Sequence, residues 1–126
     1  MKYLLDTHTI LWYAQGSSEL SENARSLMEG EFCLYSMASL WEIAIKQKLG
    51  KLDGTLTASE LDELCKNAGF RQIPINAFHV EKTKTLDFIH RDPFDRLLVA
   101  TAQLENLILI LQDVIVELMC SKYTTK

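Results

Sequence analysis

Cysteine is scarce in this chain of 126 residues, and its three copies are widely separated. Cys33, Cys65 and Cys120 are odd in number and form no C-x-x-C pair, so the sequence predicts neither a disulfide framework nor a thiolate zinc site. A few scattered thiols suit a reducing compartment, and we therefore expect the protein in the cytoplasm.

Long apolar runs and an excess of positive charge are missing too. The most apolar run, residues 107–111, is too short to span a membrane, and Asp6 and His8 interrupt the apolar N-terminus early. We therefore expect no membrane association. The net charge of −4 supplies no general attraction to nucleic acid, so such a partner would need a local basic patch or a bound cation.

The motifs that usually mark nucleotide-binding and hydrolytic enzymes are absent from the sequence. It contains no G-x-x-x-x-G-K-[ST], no G-x-G-x-x-G and no G-x-S-x-G, which excludes the usual routes to nucleotide binding and serine hydrolysis. The three histidines lie in no H-E-x-x-H spacing. We interpret His8, His79 and His90 as surface or capping residues and not as zinc ligands.

What the chain does contain is an alternation between short apolar runs and amphipathic segments. The apolar runs predict buried strands at residues 3–5, 32–35, 70–75 and 107–111. The amphipathic segments predict helices after Thr7 and Ser21, at residues 37–49, 57–67, 77–86, from Pro93 onward and at 114–120, before a polar tail at 121–126. Strands separated by helices require right-handed crossovers. The sequence thus predicts a single domain over residues 1–126, of the α/β class, with a mostly parallel sheet and helices on both faces.

The segment around Pro93 places charged side chains at the start of a helix. Proline suits the first helical position, and Asp92 before it is held out of the α region and can cap the free N–H groups. Asp95 falls three residues after the cap, where its carboxylate can reach back to the Asp92 backbone as half of a capping box. The alternative is that other carboxylates of the chain converge on Asp95.

Three further acids have a plausible route to the same place. Asp6 and Asp113 follow predicted strands, and Glu42 lies early in a predicted helix. In an open parallel sheet, ligands collect beyond the carboxyl ends of the strands, where the helices also begin. Each acid has a simpler interpretation that spacing alone leaves open: a loop or cap residue for Asp6, a surface pair with Lys46 for Glu42, and a helix cap for Asp113.

If these acids meet, their mutual repulsion has to be relieved by a cation. Carboxylate oxygens without histidine or cysteine favour Mg²⁺, with Mn²⁺ possible. A magnesium ion held by a few carboxylates keeps several waters, and one of these can be deprotonated to attack phosphorus. The pattern therefore predicts a metal-dependent hydrolase acting on phosphodiester bonds.

Three motifs of this chain resemble those of the PIN-domain family, specifically its VapC-type toxin branch. The motifs are L-L-D-T-H at residues 4–8, S-x-x-S-L-W-E-I at 36–43 and H-R-D-P-F-D-R-L-L at 90–98. The resemblance implies a three-layer α/β/α fold and a Mg²⁺-dependent ribonuclease that is made beside a small antitoxin and forms a homodimer. Carried over by position, the family's acids are Asp6, Glu42 and Asp95, with Asp113 in the place of the fourth.

The resemblance extends to the substrate and has one departure. We predict that Thr7, Ser39, Arg91 and Arg96 contact the RNA, and that cleavage leaves a 5′-phosphate and a 3′-hydroxyl. The last strand of this branch typically runs into a small hydroxyl residue, a variable residue and Asp-Glu, whereas residues 111–114 read L-Q-D-V and keep only the aspartate.

Two other functions remain open at this point. A phosphatase of the haloacid dehalogenase kind would use Asp6 as a nucleophile, although such enzymes generally have a second aspartate two residues later, where this chain has His8. The other alternative is a catalytically impaired PIN-like protein that keeps the acids only to dock a partner.

Overall fold

The structure is a computed structural model, and it describes the backbone of residues 1–52, 56–86, 92–112, 114–119 and 122–125. Two of the predicted site residues, Arg91 and Asp113, lie outside these ranges, as does His90.

The described residues form six strands and six α-helices. The strands are β1 (Lys2–Leu5), β2 (Phe32–Ser36), β3 (Arg71–Ile73), β4 (Ile108–Leu111), β5 (Val114–Met119) and β6 (Lys122–Thr125). The helices are α1 (Thr7–Gln15), α2 (Glu22–Gly30), α3 (Met37–Lys48), α4 (Ala58–Asn67), α5 (Ala77–Lys82) and α6 (Pro93–Glu105), with a 3₁₀ turn at Thr83–Thr85. None of the helices in these ranges has both the length and the apolar character needed to cross a membrane.

All six strands belong to one sheet, in the order β3-β2-β1-β4-β5-β6. The first four strands in this order are parallel, and Leu4 at the centre lies beside Leu34 on one side and Leu109 on the other. Strands β5 and β6 continue the sheet in antiparallel fashion. The predicted α/β class with a mostly parallel sheet is therefore confirmed.

Alternate residues of the strands face two separate apolar cores. Leu5, Tyr35 and Ile110 pack on one face, together with buried side chains of α1, α2, α3 and α4. Leu4 and Leu109 pack on the opposite face, together with Leu98, Val99 and Ala102 of α6. Because a strand points successive side chains to opposite faces, these two cores place helices on both sides of the sheet.

The prediction of a final helix at 114–120 is wrong, because residues 114–119 form β5, and residues 122–125 of the polar tail form β6. Gln112 adopts a left-handed backbone conformation (φ 47°) and reverses the chain directly after β4. The β-branched residues Val114, Ile115 and Val116 then pair with β4 in antiparallel register as part of β5. Val116 is fully buried in the core beneath α6, so the strand conformation of this segment is stabilised by apolar burial.

Two other elements in the C-terminal half of the chain are shorter than the sequence predicts. Strand β3 ends at Ile73, directly before Pro74, since proline cannot donate to the ladder. Helix α5 ends at Lys82 and gives way to the 3₁₀ turn. His79 is a capping residue as predicted, because its Nδ1 accepts the Asn76 N–H, but it is also buried.

Candidate active site

Asp6 lies at the carboxyl end of β1, in the middle of the sheet, and caps α1. Its Oδ1 accepts the Thr9 N–H at 2.9 Å, and its Oδ2 accepts the Gln112 N–H at 3.2 Å. Its own N–H donates to the Ile110 carbonyl at 3.0 Å. The simple interpretation as a cap is therefore correct, but the backbone around β4 also fixes the carboxylate in a buried position.

Glu42 is held from two sides on the buried face of α3. Its Oε1 accepts a hydrogen bond from the Thr7 hydroxyl at 2.5 Å, and its Oε2 lies 2.5 Å from the Lys46 ammonium. The pair with Lys46 thus forms as the alternative interpretation predicts, but Glu42 is no surface residue because it is only 2% exposed. Thr7 reaches Glu42 from the first turn of α1, so the contact joins α1 to α3.

Asp95 lies in the first turn of α6, next to the residue that caps this helix. Asp92 accepts the N–H groups of Phe94 and Asp95 at 2.8 and 3.4 Å through its Oδ1. A full capping box, with the carboxylate three residues on reaching back, closes α4 between Thr57 and Glu60. Helix α6 has only the forward half of that arrangement, so its cap leaves the Asp95 carboxylate available.

The three acids influence one another electrostatically. Burial raises the pKa of Asp95 to about 6, with the charges of Asp92, Asp6 and Glu42 acting in the same direction and Lys46 in the opposite one. Burial also raises the pKa of Asp6, although the hydrogen bonds from Thr9 and Gln112 partly offset this. Asp6, directly after β1, and Glu42 of α3 thus both act on Asp95 of α6, and we call this negatively charged region at the carboxyl edge of the sheet the pocket.

Lys46 supplies positive charge beside Glu42 in this pocket. Its ammonium pairs with Glu42, and the hydrogen bond to that carboxylate raises the pKa of Lys46. The charges of Asp92 and Asp95 raise this pKa as well. This ammonium thus interacts with three carboxylates, those of Glu42, Asp92 and Asp95, and the excess of negative charge favours a further cation.

The residues present fit a hard divalent cation in charge and in donor type. Carboxylate oxygens are the ligands that Mg²⁺ and Mn²⁺ prefer. Ser39, on the same face of α3 as Glu42, is buried, and its Oγ has no hydrogen-bond partner among the described residues. As placed, however, no three His, Cys, Asp or Glu side chains in the described ranges lie close enough to hold a metal ion.

The predicted substrate residues have different surroundings. Thr7 is buried and donates to Glu42, and Ser39 is buried beside it on α3. Arg96 points its Nη2 at the carbonyls of Thr83 and Leu86, at 2.5 and 3.2 Å, and so anchors the segment before α6. The roles of these three residues in substrate binding stay predictions, as do those of the two site residues outside the described ranges.

Two contacts of the site were not predicted from the sequence. The Gln112 backbone N–H orients Asp6, and no residue pattern signals a contact made by a backbone group across the sheet. Trp41 and Phe94 form an edge-to-face contact with ring centroids 5.4 Å apart. Trp41 directly precedes Glu42, and Phe94 directly precedes Asp95. An aromatic residue before each acid was therefore the one sequence feature that could have indicated that the two helices meet here.

Comparisons with known proteins agree with this fold. VapBC2 from Rickettsia felis, in a crystal structure with a DNA fragment from the promoter, has 19% identity and a TM-score of 0.61, over 86% of this chain and 86% of that chain. A toxin-antitoxin complex from Klebsiella pneumoniae has 22% identity and a TM-score of 0.56, over 85% and 82% of the two chains. No curated protein matches the chain significantly. The family model described as "PIN domain" matches residues 3–117, and the chain therefore belongs to the PIN domain family.

Proposed function

We propose that this PIN domain is a Mg²⁺-dependent endoribonuclease and the toxin of a toxin–antitoxin pair. The observation that carries the proposal is the shared electrostatic pocket of Asp6, Glu42 and Asp95, in which burial and mutual repulsion raise the pKa of Asp95 to about 6. The charge of the capping residue Asp92 adds to this shift, and the contributions of Asp6 and Glu42 connect Asp95 to two acids that are distant in the sequence. A cluster of partly desolvated carboxylates is costly for folding, and a bound divalent cation compensates for this cost.

Each acid has a defined part in the proposed site. Asp6, Glu42 and Asp95 would hold the ion, with Asp113 as the fourth ligand. The bound Mg²⁺, for which Mn²⁺ could substitute, supplies charge neutralisation at the scissile phosphate and an activated water. The protein orients the ligands in advance: backbone N–H groups fix both oxygens of Asp6, and the Thr7 hydroxyl fixes one oxygen of Glu42.

The proposed substrate and partners rest on the resemblance and on the structural neighbours. RNA is the substrate that the VapC-type motifs imply, with contacts from Thr7, Ser39, Arg91 and Arg96. The two similar structures are a VapBC protein and a toxin-antitoxin complex, which supports an antitoxin as the partner. We also propose a homodimer in the cytoplasm, as the motifs imply.

A second candidate is a catalytically impaired PIN-like binding protein. The observation in its favour is that the described residues contain no assembled group of three metal-ligating side chains. Phosphatase chemistry has less support, because such enzymes generally have a second aspartate two residues after the nucleophile, where this chain has His8.

Cleavage of RNA under controlled metal conditions tests the proposal. Purified protein is incubated with total transfer RNA and with an unstructured oligonucleotide, in Mg²⁺ or in EDTA. We expect cleavage in Mg²⁺ alone, and a loss of at least about a hundredfold for Asp6→Asn, since each direct metal ligand contributes several kcal/mol. The surface variant Glu63→Gln, which removes a charge of the same sign on α4, should retain activity.

The possible outcomes separate the candidates. Equal cleavage in EDTA, or full activity of folded Asp6→Asn, would refute the metal-dependent mechanism. Thermal stabilisation by Mg²⁺ without any RNA cleavage would favour the binding protein. Trapping of a phosphoaspartate at Asp6 would favour the phosphatase.

A further inference from the structure

We infer that Lys46 is a resident counter-cation, which occupies a ligand position on Glu42 in the metal-free protein and leaves it when the divalent ion binds. The inference rests on the proposed metal site. It assigns to Lys46 control over how readily that site takes up its ion.

The contacts of Glu42 show which ligand position is at issue. Oε1 is bound by the Thr7 hydroxyl and Oε2 by the Lys46 ammonium, each at 2.5 Å. A carboxylate oxygen has two lone pairs, so a hydrogen bond from a neutral donor leaves room for a metal ion, as at Asp6. The Lys46 ammonium differs because its positive charge at Oε2 opposes a second cation on the same oxygen.

Lys46 is the contact that can be released. Thr7 is only 2% exposed, and its hydroxyl sits in the first turn of α1, directly after the fixed Asp6. The Lys46 side chain is 29% exposed and ends a flexible four-carbon chain, so its ammonium can move into water. Exchange at Oε2 thus moves an ammonium into water, whereas exchange at Oε1 would leave the buried Thr7 hydroxyl without this acceptor.

The charges around Lys46 favour the same exchange. Glu42, Asp92 and Asp95 all attract this ammonium in the metal-free protein. A divalent ion among the same carboxylates supplies twice the charge, and it repels an ammonium at the same oxygen. Binding of the ion therefore weakens the hold of the pocket on Lys46 while it replaces the charge that Lys46 provided.

The state of the ligand set agrees with a counter-cation already in position. Three carboxylates share the pocket electrostatically, yet the described residues contain no ready group of three ligands. An ammonium on Glu42 satisfies this buried carboxylate without drawing the other acids together, as a divalent ion would. We expect the pocket to close around its ion only after Lys46 has moved.

Metal binding without RNA tests the inference. Calorimetric titration with Mg²⁺ and with Mn²⁺ compares wild type, Lys46→Met and the control Lys48→Met, which removes a charge from the last turn of the same helix. We expect Lys46→Met to bind about five- to tenfold more tightly, since release of an ion pair of this kind costs about 1 kcal/mol. Lys48→Met should match wild type. Equal or weaker binding by folded Lys46→Met would overturn the inference.

Thermal unfolding separates this role from a merely structural ion pair. In EDTA, Lys46→Met should melt below wild type, because Glu42 keeps a buried charge with one partner fewer. Saturating Mg²⁺ should remove this difference in melting temperature. The ion replaces the Lys46 ammonium in wild type and supplies the missing positive charge in Lys46→Met. A difference of the same size with and without Mg²⁺ would mean that Lys46 only stabilises the fold.

A conservative variant keeps the test decisive if Lys46→Met does not fold. Arginine at this position retains the charge and can hold a carboxylate through two nitrogens, so Lys46→Arg should bind Mg²⁺ as weakly as wild type or about threefold more weakly. Tighter binding by Lys46→Arg would overturn the inference. If wild type itself binds neither ion, the proposed function fails first, which is a different result.

Discussion

Replacement of Asp95 by asparagine should stabilise the metal-free protein at neutral pH. Asp95 ionises in the folded state with a pKa of about 6, against 3.8 for the ordinary group, because burial and the neighbouring carboxylates oppose its charge. A folded-state pKa above the unfolded one means that ionisation destabilises the fold. The cost is absent below about pH 4 and complete above about pH 7. An asparagine side chain carries no charge, so the Asp95→Asn protein avoids this cost.

The magnitude follows from the same shift. A rise from 3.8 to about 6 corresponds to about 3 kcal/mol, at about 1.4 kcal/mol for each tenfold change in proton affinity. Asp95 is partly exposed, and solvent screening reduces this figure to about 1–2 kcal/mol. Urea unfolding of wild type and Asp95→Asn in EDTA, at several values between about pH 4 and pH 8, measures the difference.

The matched control is an acid whose pKa moves the other way. Hydrogen bonds from Tyr35 and Lys66 lower the pKa of Asp62, so its ionised form stabilises the fold. Asp62→Asn should therefore destabilise the protein at neutral pH and lose this effect towards acid pH. In Mg²⁺, wild type should gain stability and Asp95→Asn should gain less, because an ion that binds only the folded state stabilises in proportion to its affinity. A loss of stability in Asp95→Asn that is equal at all pH values in EDTA would refute the reasoning.

Substitutions at three further positions test the supports of the site and of the fold. Thr7→Val removes the hydroxyl that holds Glu42, so we expect about 1–2 kcal/mol lower stability by urea unfolding and weaker Mg²⁺ binding by calorimetry, with Thr7→Ser as wild type. His79 is buried and bonds Glu105 at 2.7 Å, so His79→Ala should cost about 2–4 kcal/mol in urea, and retention of stability would contradict the pairing of α5 with α6. Asn106 ends α6 with a φ of 62°, so thermal unfolding should show Asn106→Gly unchanged and Asn106→Val lower by about 1–2 kcal/mol in stability.

The part of the fold that sequence predicts best is the parallel half of the sheet. Runs such as residues 3–5 and 107–111 are apolar on both faces and short, which suits strands buried between two layers. The error at β5 has a specific cause. The chain reverses at Gln112, and no glycine or asparagine marks that left-handed position, so the β-branched residues after it were assigned to a helix.

The sequence predicts the edge of the sheet at which the candidate site lies, but it does not predict the hydrogen bonds or the burial of its acids. Asp6, Glu42 and Asp95 could be assigned to one edge of the sheet because strand ends and helix starts meet there. The spacing of Asp92 and Asp95 is compatible both with a capping box and with a free Asp95 carboxylate, so it does not predict which of the two forms. Burial of Glu42 depends on Thr7, which arrives from another helix, and no spacing within α3 shows that contact.

The central position of β1 has a consequence for when the protein becomes active. Leu4 pairs with Leu109, and Asp6 accepts hydrogen bonds from Thr9 and Gln112, so the pocket joins two segments that are about a hundred residues apart in the chain. Pairing between such distant segments is slow and cannot begin before the later segment exists. A growing chain on the ribosome should therefore lack the completed pocket, and any activity that depends on it, until β4 has emerged.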